Sequence, residues 1–328
     1  MPEITMTIAG TGSYLPHRVL TSEAVDTRMG WATGTCRARY GIAARHVADA
    51  EETSSFMGAE AARRALDMAG WAAGDLDLIL GACGVMEQPI PSTAVLVQDR
   101  LGLGASGIPA YDVNATCLSF LQALDLAALH VQAGRARRVL VFSADIASVG
   151  LDWSRPEAAA IFGDGAAAVV VQAGGEGAVL AHDFRTYAEG REVCVLAAGG
   201  TRVNPATGIG PGEDRFRMDG ARAFRLASQH LPRFVLRLLR QAGLGPQALD
   251  CVIPHQASAQ ALEHAIRALR LPAARVIDIF ARTGNQIAAS IPTALDRAVR
   301  GGHLRRGQSA LLIGTSAGIS LGGMAVRF

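Results

Sequence analysis

Ala69-Gly70-Trp71-Ala72-Ala73-Gly74-Asp75-Leu76-Asp77-Leu78-Ile79-Leu80 lies without a gap on Ala242-Gly243-Leu244-Gly245-Pro246-Gln247-Ala248-Leu249-Asp250-Cys251-Val252-Ile253. Each stretch reads as a helix closing near a Gly, a short polar loop and a buried strand. Outward from this pair the match continues in order. Ala123-Leu124-Asp125 returns as Ala294-Leu295-Asp296, and the strand Val139-Leu140-Val141-Phe142 as Ala310-Leu311-Leu312-Ile313. Segments that recur in one order at nearly one offset mark a duplicated unit. We place its halves at 1–172 and 173–328. The strand segments are continuous apolar runs, so both faces should be covered. Helices such as Ser119 to Ala133 supply the covers. The expected fold class is α/β, a five-layer α/β/α/β/α sandwich with the halves packed against each other.

Composition agrees with a dense layered core. Of 328 residues half are hydrophobic and 18% charged, with 37 Gly and few aromatics, so elements can approach closely. A net charge of +2 gives no basic stripe for nucleic acid. The short clusters Arg135-Ala136-Arg137-Arg138 and His303-Leu304-Arg305-Arg306 read as solvated loops before strands. Cys36, Cys83, Cys117, Cys194 and Cys251 are scattered without CxxC spacing, which points to reduced thiols rather than a disulfide framework or a zinc site. No apolar run reaches membrane-spanning length, and Met1 to Gly10 does not read as a signal peptide. A cytoplasmic protein with no metal and no cofactor is expected.

Three stretches carry chemistry. In Tyr111-Asp112-Val113-Asn114-Ala115-Thr116-Cys117-Leu118-Ser119-Phe120, a strand ends and Cys117 opens an amphipathic helix. The positive end of the helix dipole and its unpaired N–H groups favour a thiolate there. A buried structural cysteine is the competing reading. In Val252-Ile253-Pro254-His255-Gln256-Ala257, His255 follows a buried strand at its carboxyl end, where α/β proteins bind ligands. In Thr283-Gly284-Asn285-Gln286-Ile287-Ala288-Ala289-Ser290-Ile291-Pro292, Asn285 starts the helix that corresponds in the repeat to the Cys117 helix. Asn at such a place is ordinarily a helix cap, but pseudo-symmetry brings this helix start towards Cys117. The turn Phe162-Gly163-Asp164-Gly165 lacks the Gly-Lys-Ser/Thr of a phosphate loop, and Gly10-Thr11-Gly12-Ser13 lacks the third glycine of a dinucleotide fingerprint.

The three motifs together, with Phe162-Gly163-Asp164-Gly165-Ala166-Ala167-Ala168 and the ending Gly322-Gly323-Met324-Ala325-Val326-Arg327-Phe328, resemble the β-ketoacyl-acyl-carrier-protein synthase III family of thiolase-fold condensing enzymes. The resemblance runs over nearly the whole chain. It implies that Cys117 takes an acyl group from acyl-coenzyme A or acyl-carrier protein, and that a decarboxylative Claisen condensation follows with a malonyl- or β-ketoacyl-type thioester such as malonyl-carrier protein. It further implies that His255 and Asn285 hold the thioester carbonyl and the enolate, a task imidazole N–H and amide NH₂ can perform. Backbone N–H groups of Cys117 and Ala317 would form the oxyanion hole. Trp31 and Arg39 match positions near the coenzyme-A entrance, Arg225 a basic residue at the tunnel mouth, and Ser258 a contact to the carrier arm, usually Asn. Ile90 stands where a residue reaches into the acyl pocket of the second subunit of a homodimer.

The departures concern substrate. The family's C-terminal loop is usually all glycine where this chain has Ser316-Ala317-Gly318. Gln260 replaces an expected basic residue, Ala32 to Ala38 holds a few extra residues, and Ile90 replaces a large aromatic ring. These point to a specialised relative in a secondary-metabolite or lipid pathway. Two other functions remain open on the same fold. One is acyl transfer to oxygen or nitrogen, or a non-decarboxylative condensation, with Glu87 as the candidate base. The other is a non-catalytic subunit that docks an active partner, which an intact Cys/His/Asn set disfavours.

Overall fold

Consecutive residues of the apolar strands are buried towards opposite faces, and this alternation of facing fixes the layers. The structure, a computed structural model, describes residues 3–328; Met1 and Pro2, part of the N-terminal reading above, lie outside the described residues. The principal strands are β1 (Ile4–Tyr14), β2 (Leu78–Gly81), β3 (Ala110–Asp112), β4 (Arg138–Asp145), β5 (Gly165–Thr186), β6 (Cys251–Pro254), β7 (Ser309–Ser316) and β8 (Ser320–Arg327). The principal helices are α1 (Ser54–Ala69), α2 (Thr93–Arg100), α3 (Ser119–Gln132), α4 (Gly220–Gln241), α5 (Ala259–Ala268) and α6 (Ser290–Arg300).

Leu80, Val139 and Val141 face an inner core with Phe120 and Leu124 of α3 and Leu295 of α6, while Ile79, Leu140 and Phe142 face α1 and α2 on the outside. The second half repeats the pattern. Ile253, Leu312 and Met324 point to the same inner core, and Val252, Leu311 and Leu321 pack on Phe234 and Leu238 of α4. Helices, sheet, helices, sheet, helices result: the five-layer thiolase-like fold.

The pairing order shows the duplication. β2 is flanked by β3 and β4, both parallel to it, and β4 pairs antiparallel with the first part of β5, which pairs in turn with β1. β6 is flanked by β7 and by an isolated parallel bridge to Val276; β7 pairs antiparallel with β8, and β8 with the second part of β5. The loops match too. Gly70 and Gly243 close α1 and α4 in the left-handed region, at φ 70° and 69°, where a side chain would be strained. The inner helices α3 and α6 interlock the halves. Asp296 of α6 accepts from Thr11 Oγ1 of β1 at 2.7 Å. Asp125 of α3 pairs with His182 of β5 at 2.9 Å. Both residues of the first contact are displaced by 171 positions in the second.

Candidate active site

The inner helices are entered through two matching elbows, and these hold the Cys and Asn motifs. A single 3₁₀ turn, Thr116–Leu118, precedes α3, and another, Ile287–Ala289, precedes α6. Cys117 therefore sits in the turn before the helix rather than in its first residue. Asn114 Oδ1 accepts the Thr116 N–H at 2.9 Å, and Asn285 Oδ1 accepts the Ile287 N–H at 2.9 Å. Ser119 Oγ accepts the Ala115 N–H at 2.9 Å, and Ser290 Oγ accepts that of Gln286 at 3.0 Å. Thr116 and Ile287 both take positive φ, 51° and 52°, in a region that β-branched residues avoid. Asn114 with Asn285 and Ser119 with Ser290 carry the 171-residue offset already present at Leu124 and Leu295. That offset was the signal by which the sequence could have revealed both elbows.

The elbows meet each other and His255. A Cβ on Gly84 would come within 2.4 Å of Ile287 Cγ2 and 3.4 Å of the Thr116 carbonyl carbon, so only glycine lets the two turns close around this point. A Cβ on Gly314 would lie 3.0 Å from both His255 Cβ and Leu118 Cδ2. His255 continues the β6 ladder by donating its N–H to Ile313 O at 2.8 Å. Asn285 is pinned by its backbone, whose N–H goes to Ile161 O at 2.8 Å and whose carbonyl accepts from Gly163 at 3.1 Å. Its Oδ1 is committed to the elbow, while Nδ2 has only a long 3.5 Å approach to Ala257 O. The amide thus keeps its NH₂ available as a donor. The sequence-derived set of Cys117, His255 and Asn285 is brought to one place.

The electrostatics overturn the expected thiolate. Burial pushes the Cys117 thiol up to about 12, and the charges of Asp145 and Cys194 push the same way; its own backbone N–H and the Ser316 hydroxyl oppose them. Desolvation of the anion outweighs the helix dipole, so the resting group is a thiol. Asp145, at the end of β4 and fully buried, escaped the sequence reading. It accepts the N–H groups of Gly84 and Val85 at 2.8 Å each and that of Ala289 at 3.2 Å. Burial holds its carboxyl up at about 7. Burial also lowers His255 to about 4, which leaves a neutral imidazole at physiological pH.

The remaining candidates lie around this centre. Ala317 directly follows Ser316, whose Oγ donates to Ala115 O at 2.9 Å beside Cys117. The Arg39 guanidinium lies 5.3 Å over the Trp31 ring. Gly41, next along the same segment, abuts Ala259 at the start of α5. Ser258 caps α5, accepting the Ala261 N–H at 3.1 Å. Arg225 is exposed on α4. That helix begins at Gly220 with Asp219 as its cap, and Met218 before it lies in a short strand. Ile90 stands away from the others, 87% exposed in the single chain. Glu87 accepts the Ser55 N–H in the first turn of α1, a structural post rather than that of a base. Among the described residues no group of three or more His, Cys, Asp or Glu is placed to hold a metal ion, and no helix is long and apolar enough to cross a membrane.

Known proteins resemble the chain over nearly its whole length. Residues 111–190 match the family described as 3-oxoacyl-[acyl-carrier-protein (ACP)] synthase III, and residues 239–328 its C-terminal part. A β-ketoacyl-[acyl-carrier-protein] synthase III of Bordetella petrii is 39% identical over 325 residues, covering 98% of this chain and 97% of the relative. The crystal structure of 3-oxoacyl-[acyl-carrier-protein] synthase III from Aquifex aeolicus superposes with a TM-score of 0.89 at 32% identity, covering 98% of this chain and all of that one. The priming β-ketosynthase of the R1128 polyketide pathway gives a TM-score of 0.89 at 30% identity, covering 99% and 97%. Fold and site together define a thiolase-fold condensing enzyme, an acyltransferase. More narrowly, the chain belongs to the 3-oxoacyl-[acyl-carrier-protein] synthase III family.

Proposed function

We propose that Cys117 is the acyl carrier and that His255 and Asn285 act on the second substrate in a decarboxylative condensation. In the first half-reaction the Cys117 sulfur attacks the thioester carbonyl of an acyl-coenzyme A or acyl-carrier protein. The N–H groups of Cys117 and Ala317 hold the oxyanion, and the thiol proton leaves with the displaced thiolate. In the second, a malonyl-carrier thioester places its carbonyl oxygen between neutral His255 and Asn285 Nδ2. Loss of carbon dioxide leaves an enolate that attacks the acyl group on Cys117, forms the carbon–carbon bond and frees the sulfur. Donors fixed in advance at a buried site stabilise the developing charge without reorganisation.

The observation that carries this reading is the divided role of Asn285: Oδ1 holds the elbow and Nδ2 is left to donate. An acyltransferase to oxygen or nitrogen would need a base here, and Glu87 is engaged at α1. The test is carbon dioxide release from a malonyl thioester in the presence of an acyl primer. Release that depends on His255 and Asn285 supports the reading; acyl transfer to an alcohol or amine without release contradicts it.

Around this chemistry the same reading places a cytoplasmic homodimer. The 87% exposure of Ile90 suits insertion into a neighbouring subunit's acyl pocket, where Ile leaves more room than a large ring. Trp31, Arg39 and Ser258 line the approach of the pantetheine carrier, and Arg225 docks the acidic carrier protein. The halves 1–172 and 173–328 divide inside β5. Its pairing with β4 ends at Gln172 and its pairing with β8 starts at Ala178, in support of that division. The R1128 relative, a priming enzyme of a polyketide pathway, supports a specialised pathway for this chain too.

A further inference from the structure

Two hydroxyls flank the proposed nucleophile, and both address one carbonyl. Ala115 O accepts from Thr116 Oγ1 at 2.8 Å and from Ser316 Oγ at 2.9 Å, and the two hydroxyl oxygens also touch each other. Ser316 ends β7 and is 5% exposed, in the C-terminal half; Thr116 immediately precedes Cys117 in the other half and carries the strained φ of 51°. Ser316 lies 171 positions beyond Asp145, which grips the opposite elbow through Ala289. Each half's strand end thus holds the other half's elbow, by a carboxylate at one and a hydroxyl at the other.

We propose that Ser316 is a positioning residue for Cys117, with Thr116 as its relief: Thr116 keeps the Ala115 carbonyl satisfied while Ser316 turns its proton to the sulfur as negative charge forms there. Ala115 O also accepts the Leu118 N–H of the 3₁₀ turn at 3.2 Å. Of its two lone pairs one is left for a hydroxyl while two hydroxyls are present, so the second can move without leaving that lone pair unmet. The Ser316 hydroxyl already acts to lower the Cys117 thiol, against the larger effect of burial. A glycine or alanine at this position would offer no such donor. Either hydroxyl alone is then tied to Ala115 O, and losing either one should remove the same hydrogen bond to sulfur.

The inference rests on Cys117 being the nucleophile, but its test reads thiol acidity alone. The rate of Cys117 alkylation by iodoacetamide is followed from neutral to strongly alkaline pH in the full chain, with the modified residue identified by peptide mass. Ser316→Ala should slow alkylation on the neutral side about tenfold, the effect of one lost hydrogen bond to a charged group, and move the inflection to higher pH. Thr116→Val, which keeps the shape, should do the same, and the double variant no more than either. Ser316→Thr should restore the wild-type profile. An unmoved inflection in Ser316→Ala, or in Thr116→Val where Ser316→Ala does not fold, overturns the proposal, as does an additive double variant. Whether Cys117 carries the acyl group is decided separately, by acyl loading of Cys117→Ala.

Discussion

Asn285→Asp separates the two tasks of one side chain. The carboxylate retains an oxygen where Oδ1 accepts the Ile287 N–H at 2.9 Å, so the elbow, and with it the start of α6, should survive. What is lost is the NH₂ that approaches Ala257 O at only 3.5 Å and is otherwise free. Removing one donor aimed at a developing oxyanion costs roughly 3–4 kcal/mol, about 10²–10³ in rate. A carboxylate in its place adds repulsion towards the enolate, so decarboxylation should fall by at least that factor. Acyl loading, which uses the other elbow, should fall little. Asn285→Ala, which also frees the Ile287 N–H, should show the same chemical defect with a lower melting temperature. The assays are carbon dioxide release from malonyl thioester and intact mass after incubation with acyl-coenzyme A. Normal release by a folded Asn285→Asp variant would refute the assignment.

Three further outcomes follow from the geometry. A Cβ on Gly163 would sit 2.2 Å from the Thr283 carbonyl oxygen, so Gly163→Ala should displace the Thr283–Asn285 segment. Overpacking of this kind costs about 1–3 kcal/mol, and the variant should lose both melting temperature and decarboxylation while loading persists; unchanged kinetics would show that the segment is not held from this side. His255 has a folded pKa near 4 against an ordinary 6.5, so the unfolded chain binds the proton more readily between these values. Its contribution to stability is complete above 6.5 and is lost as pH falls towards 4; in denaturant melts His255→Gln should flatten that acid slope, and an identical slope would argue against a neutral buried imidazole. Arg225→Glu should raise KM for malonyl-carrier protein and leave loading from small acyl-coenzyme A unchanged, with the wild-type KM rising with salt; a KM indifferent to both means that the carrier docks elsewhere.

The duplication was legible because it is written in residues with no substitute. Gly70 and Gly243 must take positive φ, and the apolar runs at Leu78 and Cys251 must fill both faces of a sheet. The Cys, His and Asn motifs were legible because each needs one residue type at the end of a strand or the start of a helix. What stayed hidden depends on contacts between halves. The protonated state of Cys117 comes from burial and from Asp145 and Cys194, distant in sequence, which a helix-dipole argument along one segment does not include. Ser316 looked like a loop residue until β7 delivered it to the opposite elbow. Glu87 looked available as a base until α1 supplied it with the Ser55 N–H.

Whether Cys117 carries the acyl group is decided by intact mass spectrometry. The protein is incubated with a series of acyl-coenzyme A primers, digested, and the modified peptide sequenced, with Cys117→Ala in parallel. One acyl adduct per chain is expected, released by hydroxylamine as a thioester should be, located at Cys117 and absent from the variant. An adduct that persists in Cys117→Ala, or no adduct with any primer on wild-type protein, would contradict it.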